Sequence, residues 1–402
     1  MSKNKIQTLK GFRDFLPEDA IKREWLIGKL KEIFELWGYD PVETPILEPL
    51  EIFEGQIGED EKLFYKFDDP GGRKVALRYD QSVPISRVIG QYNQQLPMPF
   101  RRYQIQPTFR AEKPQKGRYR EFIMCDADIF GVESSQADAE VIALLLDIYK
   151  RLGFKNIKVY VNDRKLLKGI PYEAIVAIDK LKKIGTEGVI EDMIKKGIEK
   201  NKAREYLNKI KSLKPNQTIN DIFNYLEKLN YPKDWYEFDP TIARSFSYSD
   251  GPIWEIVSPD YKAGSLSGGE RFDGLIEEVS GIKVPATGFG LGLDRTLEAA
   301  ESLNLIPVKK TVTKVLVTIF AENTVDSSIK IVKVLRSAKI NTELYPEIVP
   351  LAKQLKYADK KGIPYAVIIG PDEILKNEVI VKNLLNKRQE TIPIDALLTQ
   401  LR

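Results

Sequence analysis

One stretch, FRAEKPQKGRYREFIMCDAD at positions 109–128, is the most informative in the chain. A β-type run over 102–109 leads into a polar loop broken by Pro114 and Gly117, and a second strand begins at Tyr119, which together predict a hairpin. The loop is rich in cations, which are Arg110, Lys113, Lys116, Arg118 and Arg120. Because guanidinium groups match phosphate oxygens with paired hydrogen bonds, the hairpin predicts a polyphosphate ligand. A solvated turn between two edge strands would explain the same charges, so both interpretations stay open at this point.

The same residues resemble a known motif. FRAEKPQKGRYREF is similar to motif 2 of the class II aminoacyl-tRNA synthetases, in the form used by the histidyl-tRNA synthetase family, and the resemblance runs from Leu9 to the C-terminus. It implies an α+β fold in which an antiparallel-sheet catalytic core of class II type carries a helical insertion and is followed by a C-terminal α/β anticodon-binding domain. The expected boundaries are 1–163 for the core with motifs 1 and 2, 164–234 for the helical insertion, 235–307 for the core with motif 3, 308–313 for a linker and 314–402 for the anticodon-binding domain.

Composition narrows the class of protein. The 402 residues are 43% hydrophobic and 30% charged, which fits a globular protein of two or three domains. No apolar run approaches the ~20 residues that span a bilayer, and the N-terminal stretch lacks the apolar segment of a secretion signal. The single cysteine, Cys125, excludes disulfides within the chain and metal sites built from several cysteines. These features predict a cytoplasmic protein.

The chain contains no histidine, which limits the chemistry available to it. Ser–His triads, histidine-type zinc sites and imidazole as a general base are excluded. Catalysis must therefore use arginine, lysine, carboxylates, hydroxyls or backbone dipoles, or a metal held by carboxylates. Two basic segments, 180–214 and 311–402, accompany a body of net negative charge and are compatible with a large polyanion bound at two places.

The N-terminal region predicts a long helix followed by an extended segment. The helix is expected to start at Pro17 and to end before Gly38, and the extended segment carries Pro41 and Pro45. This arrangement resembles motif 1, which builds the dimer interface in the family and implies a homodimer. An ordinary amphipathic helix packed on a sheet would show the same pattern.

The stretch LRYDQSVP places two polar residues, Asp80 and Ser82, on a loop after a predicted hairpin over 62–79. It resembles the LRxDxTxP stretch in which the family uses the acid to hold the α-ammonium group of the substrate. The resemblance therefore implies that Asp80 and Ser82 bind the amino acid. Asp80 could also cap the helix that starts near Pro84, and the two roles are compatible.

A glycine-rich stretch, ATGFGLGLDRTLEAA at positions 286–300, predicts a strand with one bare face. Gly288, Gly290 and Gly292 alternate with apolar residues, so a flat ligand could lie against the backbone. A helix then starts at Asp294 with Arg295 in its first turn. The stretch resembles motif 3, whose arginine contacts ATP. A Rossmann fold is excluded because the glycine spacing is wrong and no βαβ unit follows.

The C-terminal residues alternate between strand and helix patterns and predict a compact domain with a mixed sheet. Strands are expected at 314–320, 340–344, 364–369 and 377–382, and helices at 324–337, 350–361 and 393–401. LKYADKKGIPYAVIIGPDE resembles the anticodon-binding domain of several class II synthetases, which implies tRNA as a partner. The presence of this domain argues against an assignment of the chain to the shorter relative that serves as the regulatory subunit of ATP phosphoribosyltransferase.

The implied reaction is the activation of an amino acid with ATP and its transfer to the 3′ end of tRNA. Such an enzyme chiefly positions its substrates and neutralises charge. The resemblance implies that Arg110 and Arg244 are catalytic at the α-phosphate and that ATP is bound by Arg110, Glu112, Arg118 and Arg295. Mg²⁺ on the phosphates is implied as well, without predicted protein ligands. Each of these arginines could instead form a surface salt bridge with a nearby acid.

Three stretches depart from the family pattern around the amino acid. Met124 replaces a glutamine, Ser249 replaces the second tyrosine of an LDYY stretch (here 246–249, Phe-Ser-Tyr-Ser), and GRYD becomes ERFD at 270–273. The implied amino-acid-binding residues are Asp80, Ser82, Met124, Asp128, Tyr248, Ser249 and Phe272. Loss of polar groups is expected to weaken selection for imidazole.

Three functions are therefore considered. They are a histidine–tRNA ligase, a paralogue that activates another amino acid, and a non-catalytic regulator that senses an amino acid or tRNA. The arginines at 110, 244 and 295 and the C-terminal domain favour the ligase.

Overall fold

The computed structural model describes residues 6–55, 62–114, 118–244, 248–262 and 264–401. The tip of the cationic hairpin, with Lys116 and Gly117, and residues 245–247, with Phe246 and Ser247, lie outside the described residues. The chain divides into two compact units. The first comprises Met1–Asp14 and Leu26–Ile306, and the second comprises Phe15–Trp25 and Pro307–Arg402. None of the described helices is long and apolar enough to cross a membrane.

Helices and strands are numbered in chain order among the described residues. The strands are β1 (Asp40–Pro41), β2 (Leu47–Pro49), β3 (Lys66–Asp68), β4 (Lys74–Leu77), β5 (Phe100–Phe109), β6 (Glu121–Phe130), β7 (Lys158–Asp163), β8 (Tyr236–Phe238), β9 (Pro252–Val257), β10 (Ser267–Arg271), β11 (Ala286–Gly292), β12 (Val315–Val317), β13 (Thr342–Leu344), β14 (Tyr365–Ile368), β15 (Glu378–Asn383) and β16 (Gln389–Pro393). The helices are α1 (Pro17–Leu36), α2 (Ser82–Tyr92), α3 (Ser135–Arg151), α4 (Tyr172–Ile178), α5 (Leu181–Lys195), α6 (Lys200–Lys211), α7 (Gln217–Lys228), α8 (Asp273–Ser280), α9 (Leu293–Ser302), α10 (Val325–Ser337), α11 (Leu351–Lys361), α12 (Pro371–Lys376) and α13 (Leu397–Leu401).

An eight-stranded sheet forms the centre of the first unit, in the order β1-β5-β6-β11-β10-β9-β7-β8. Its inner strands are antiparallel, whereas β1 pairs with β5, and β8 with β7, in parallel. Side chains alternate between the two faces of a strand, so the two faces of β6 differ. Cys125, Ala127 and Ile129 are fully buried on one face, which leaves the even-numbered side chains on the other. The predicted antiparallel core is confirmed.

The predicted hairpin over 62–79 is present as β3 and β4, in a small sheet of order β2-β4-β3. Its turn is held by Asp69, whose Oδ1 accepts hydrogen bonds from the backbone N–H groups of Gly71 and Arg73 at 2.9 Å each. Gly72 has φ of 77°, a backbone conformation that favours glycine. The hairpin leads directly to the loop of Asp80 and to α2.

Four helices, α4 to α7, fall within the segment where the helical insertion is predicted. α4, α5 and α6 share an apolar cluster of their own that includes Ile178, Met193 and Leu207. α7, by contrast, packs against α3. The boundaries 164–234 remain a prediction, as do the other domain limits.

The second unit contains a five-stranded sheet of order β13-β12-β14-β15-β16. β12 is parallel to β13 and β14, and the β14–β15 and β15–β16 pairs are antiparallel, so the mixed sheet that the sequence predicts is confirmed. Two short elements, α12 and β16, were not predicted. The helix predicted at 393–401 begins only at Leu397, because Pro393 still belongs to β16 and a 3₁₀ turn over Ile394–Ala396 follows it.

Candidate active site

A cavity of about 550 Å³ lies on the face of the large sheet that carries the even-numbered side chains of β6. Its volume is in the range of small-molecule sites. All but one of the predicted site residues line it, namely Asp80, Ser82, Arg110, Glu112, Arg118, Met124, Asp128, Arg244, Tyr248, Phe272 and Arg295. The exception, Ser249, lies beside it and donates a hydrogen bond to the lining residue Glu270. Residues from distant parts of the chain thus meet in one place.

The glycines of β11 make room for side chains of the neighbouring strand. Gly288 pairs with Asp128, and Gly290 with Asp126, across the β6–β11 ladder. A Cβ atom at Gly288 would lie 1.7 Å from Asp128 Oδ1, and one at Gly290 would lie 2.6 Å from the Cε of Met124. The glycines therefore form the predicted strand face without side chains, but the side chains of Asp128 and Met124 fill much of the space beside it. Among these three glycines of β11, only Gly292 has no atom within 4 Å of the point where a Cβ would lie, so a flat ligand has room there.

Three arginines gather at the end of the cavity near the motif 2 hairpin. Arg110 stacks over the Tyr79 ring, 4.3 Å from its centroid, and its Nε donates to the Tyr79 carbonyl at 3.2 Å. Arg295 donates from Nη1 to the Ser265 carbonyl at 2.9 Å. Burial, followed by the positive charge of Arg118, lowers the pKa of Arg295, and Arg110 contributes in the same direction. These neighbouring cations concentrate positive charge, and an anion bound among them would relieve their repulsion.

Arg118 forms a salt bridge with a nearby acid, which was the alternative to phosphate binding considered from the sequence. Its Nη1 lies 3.0 Å from Glu112 Oε2, and the Arg118 side chain is 44% exposed. Exposed pairs of this kind contribute about 0–1 kcal/mol, so a phosphate could displace the carboxylate at little cost. Both residues nevertheless line the cavity, as the resemblance to motif 2 implies.

Arg244 is held in place by several contacts at the middle of the cavity. Its Nε lies 3.2 Å from Glu270 Oε1, and its backbone N–H donates to Asp179 Oδ1 at 2.9 Å, at the end of α4. Its φ is 42°, a left-handed conformation uncommon for a residue with a side chain. Burial acts to lower the pKa of Arg244, but the carboxylates of Glu270 and Glu255 outweigh it and raise the pKa. The guanidinium therefore stays charged.

The cavity is also lined by Asp80, next in the chain to Tyr79, and by the aromatic residues Tyr248 and Phe272. Asp80 is buried, and its Oδ1 accepts from the Val83 N–H at 3.1 Å, so the predicted helix-capping role is present. Its Oδ2 has no hydrogen-bond partner among the described residues and remains available to a ligand. Burial raises the pKa of Asp80 above its usual range. Tyr248 and Phe272 belong to a buried apolar cluster and form a wall of the cavity.

Asp128, which the resemblance implies as an amino-acid-binding residue, lines the cavity from β6. It forms a short ion pair with Arg102, which is fully buried on β5. Burial raises the pKa of Asp128 to about 6, and the neighbouring arginine opposes the rise. Its pairing with Arg102 could not be foreseen without the β5–β6 register, which places these two residues opposite each other.

Five charged residues of the cavity were not predicted as site residues, namely Asp126, Lys183, Glu255, Glu270 and Asp294. The two-residue period of β6 already places Asp126 on the face of Met124 and Asp128, so the sequence contained a signal for it. Glu270 was noticed only as a departure from the family pattern. Lys183 comes from α5, and nothing in its local sequence indicates the cavity.

Comparison with known proteins gives consistent results along the whole chain. A family model described as histidyl-tRNA synthetase matches residues 11–185 and 177–296, and one described as anticodon binding domain matches 305–402. The histidine–tRNA ligase of Cytophaga hutchinsonii is 34% identical over 98% of each chain, and that of Gloeobacter violaceus is 36% identical over 97% of each. The crystal structure of histidyl-tRNA synthetase from Nostoc sp. PCC 7120 superposes with a TM-score of 0.85 at 25% identity and covers 99% of both chains.

Proposed function

This chain belongs to the histidyl-tRNA synthetase family, and we propose that the cavity on its eight-stranded sheet is where histidine is activated. The protein is an ATP-dependent class II histidine–tRNA ligase, and tRNA is its partner through the C-terminal anticodon-binding domain. One observation supports the location most strongly. The lining of one cavity combines four arginines, Arg110, Arg118, Arg244 and Arg295, with the buried carboxylates of Asp80 and Asp128.

The geometry suggests a division of roles along the cavity. A carboxylate oxygen of histidine attacks the α-phosphorus of ATP, the bond to the bridging oxygen breaks, and pyrophosphate leaves with the electron pair. Arg110 and Arg244 stabilise the negative charge at the α-phosphate, and Arg118 and Arg295 hold the outer phosphates. Glu112 faces the adenine when its pairing with Arg118 is released.

The amino acid occupies another part of the same cavity. Asp80 binds the α-ammonium group through its unpartnered Oδ2, and Ser82 lies next to it in the loop. Met124, Asp128, Tyr248 and Phe272 surround the side chain, and Ser249 supports the pocket through Glu270. In the second step, the 3′ hydroxyl of tRNA attacks the carbonyl of the adenylate, and AMP leaves.

Magnesium is expected to enter the site with ATP. The described residues contain no group of three His, Cys, Asp or Glu side chains that could hold a metal ion by themselves. Mg²⁺ fits such a site because it retains several waters and usually binds substrate phosphates with one or two carboxylates. Bound there, it would neutralise phosphate charge. Activity that requires Mg²⁺ in proportion to ATP, and not in proportion to enzyme, would support this assignment.

The proposal includes a homodimer built on the region that resembles motif 1. Two apolar side chains of that region, Leu36 at the end of α1 and Leu47 on β2, are 62% and 42% exposed and would be covered by a second copy. Sedimentation should give the mass of two chains, and Leu47→Asp should shift it toward one. A wild-type protein with the mass of a single chain would contradict the dimer. We also place the enzyme in the cytoplasm, where ATP and tRNA occur, which fluorescence of a tagged protein would test.

The experiment that tests the function is ATP–pyrophosphate exchange with each of the twenty amino acids in turn. Exchange with histidine alone is the expected result. Exchange with a different amino acid would indicate a paralogue of changed specificity, and binding of ATP or tRNA without any exchange would indicate a regulator. Arg110→Met should lower kcat by about 100- to 1,000-fold. Arg204→Met, which removes an exposed arginine on α6, should leave exchange unchanged.

A further inference from the structure

An N-terminal segment, residues 9–14, lies against the stem of the motif 2 hairpin. The backbone N–H of Arg120 donates to the Gly11 carbonyl at 2.9 Å, and Arg120 Nη1 donates to the Lys10 carbonyl at 3.1 Å. Gly11 has φ of 92°, and a Cβ atom there would lie 2.8 Å from Arg120 Cγ and 2.9 Å from Pro114 Cγ. Glycine is therefore the residue that permits this close approach.

Arg13 of this segment contacts two parts of the site at once. Its guanidinium lies over the Tyr119 ring, with Cζ 3.2 Å from the ring centroid. Its Nη2 also donates to Asp294 Oδ1 at 2.8 Å. The Arg13 side chain is 28% exposed and that of Asp294 is 9% exposed, so salt screens this ion pair less than a fully exposed one. Arg13 thus joins the hairpin to the first turn of α9.

The two partners of Arg13 are sequence neighbours of two arginines assigned to ATP. Tyr119 follows Arg118, Asp294 precedes Arg295, and all four line the cavity. The positive charge of Arg118 contributes to lowering the pKa of Arg295, so the two guanidinium groups lie close enough to repel each other. The distance between them is set by how the hairpin packs against α9.

The position of this part of the hairpin depends on contacts outside the strand pairing. The β5–β6 ladder ends at the pair of Phe109 and Glu121, so Arg118 and Tyr119 lie beyond it. The Tyr119 hydroxyl donates to Glu298 Oε1 on α9, but at 3.4 Å, which is long for a hydrogen bond between two oxygens. The contact through Arg13 is the closer of these two links to α9.

We propose that Arg13 is a positioning residue that holds the motif 2 hairpin against α9. It thereby sets the distance between Arg118 and Arg295. This inference rests on the proposed function, which places these two arginines at the outer phosphates of ATP. Arg13 is not among the described residues that line the cavity, so it acts through its two neighbours and not by contact with ATP.

The test compares the binding of the two substrates. The Kd for ATP is measured by equilibrium dialysis, and the KM values for ATP and for histidine by ATP–pyrophosphate exchange. Because a displacement of about 1 Å can cost up to about 100-fold, we expect Arg13→Met to raise the Kd and the KM for ATP about 10-fold. The KM for histidine should change less than about twofold, because histidine does not contact the outer phosphates.

Two variants of arginine serve as comparisons. Arg13→Lys keeps a cation for Asp294 and for the Tyr119 ring, so its Kd for ATP should lie between those of wild type and Arg13→Met. Arg73→Met removes an arginine that pairs with Asp69 on the turn between β3 and β4 and is 81% exposed. This matched control should leave the Kd for ATP and both KM values unchanged.

Two further variants decide whether Arg13 acts through its neighbours. Arg13→Met/Asp294→Asn should raise the Kd for ATP no more than the larger of the two single effects, because both substitutions break one link. Gly11→Ala should also raise it, since the new Cβ pushes the segment away from Arg120 while Arg13 is kept. It decides the question if Arg13→Met does not fold. Fully additive effects in the double variant, or equal changes in KM for ATP and histidine, would overturn the inference.

Dialysis with ATP needs no amino acid, so it separates this inference from the function itself. Wild-type protein that binds ATP but shows no exchange with histidine would refute the proposed function, and the Kd values of the variants would still decide the role of Arg13. An unchanged Kd for ATP in Arg13→Met and Gly11→Ala would refute the inference alone. Wild-type protein that binds no ATP would refute both.

Discussion

Gly268→Ala should inactivate the enzyme without unfolding it. Gly268 lies on β10 directly under the guanidinium of Arg244. A Cβ atom there would lie 2.1 Å from Arg244 Nη1 and 3.3 Å from the Trp254 carbonyl oxygen. Ordinary contact distances are about 3.5 Å, so the guanidinium must move by more than about 1 Å. The φ of Gly268 is not in the left-handed region, so alanine adds no backbone strain and the effect is steric.

The expected effects of Gly268→Ala on stability and on kcat depend on how the Arg244 side chain moves. Nη1 is the end of a long, flexible side chain, and alanine is favoured over glycine within a strand by about 0.5–1 kcal/mol. The displaced arginine also weakens its pair with the buried Glu270 carboxylate, so we expect the free energy of unfolding to fall by about 1–3 kcal/mol, less than the roughly 3–5 kcal/mol for complete loss of a buried pair. The arginine also loses its position at the α-phosphate. Removal of one such donor typically lowers kcat by about 100- to 1,000-fold, and that is the expected loss in ATP–pyrophosphate exchange with histidine.

Two further variants decide whether the effect passes through Arg244. Gly28→Ala, at an exposed helical glycine with nothing within 4 Å of the new Cβ, should keep wild-type exchange. The double variant Gly268→Ala/Arg244→Met should be no slower than Arg244→Met alone, because the arginine is already absent. Exchange within about twofold of wild type in Gly268→Ala, or fully additive losses in the double variant, would refute the reasoning.

Three other predictions concern stability. Arg271→Met should lower the free energy of unfolding, measured in urea, by about 3–5 kcal/mol. The substitution leaves the buried Asp138 without Arg271, whose Nη2 lies 3.0 Å from Asp138 Oδ2. The double variant Arg271→Met/Asp138→Leu should recover part of the loss, because it removes the buried charge as well. Gly288→Ala should cost about 1–3 kcal/mol by the same measurement, since its Cβ would lie 1.7 Å from Asp128 Oδ1 and 2.7 Å from the Ala127 carbonyl oxygen; an unchanged midpoint would contradict the overlap. The pKa of Asp126 rises from 3.8 to about 8 on folding, so its contribution to stability is complete below about pH 4 and is lost as the pH rises through about 8. Asp126→Asn should remove a slope of up to about 1.4 kcal/mol per pH unit in that window, and parallel pH profiles of wild type and variant would count against it.

The fold could be predicted from the sequence to a large extent because its motifs are local. The hairpin around the cationic loop, the glycine strand with its helix, and the alternating C-terminal elements each depend on short-range patterns. The mixed C-terminal sheet, predicted from its local patterns, and the antiparallel core, implied by the resemblance to class II synthetases, are both confirmed. The missed elements, α12 and β16, are short, and their pattern is weak beside the long helices that surround them.

The candidate site was harder to predict because it depends on pairing between strands. Local sequence identifies Arg110, Arg244 and Arg295, but only the register shows that Asp128 meets Arg102 and that Gly288 makes room for Asp128. Asp126 was overlooked although the period of its strand indicates it. Residue roles at this site remain predictions until the variants are measured.

The close fit between the glycines of β11 and the side chains of β6 also restricts how this pocket can evolve or be redesigned. A larger residue at 288 meets both the side chain at 128 and the carbonyl oxygen of Ala127, and one at 290 meets the side chain of Met124. A substitution of either glycine alone therefore gives a less stable protein, so these positions and the β6 side chains that they contact change most easily as couples. A mutant library that varies each glycine together with the side chain it contacts therefore retains more folded variants than one that varies the glycines alone.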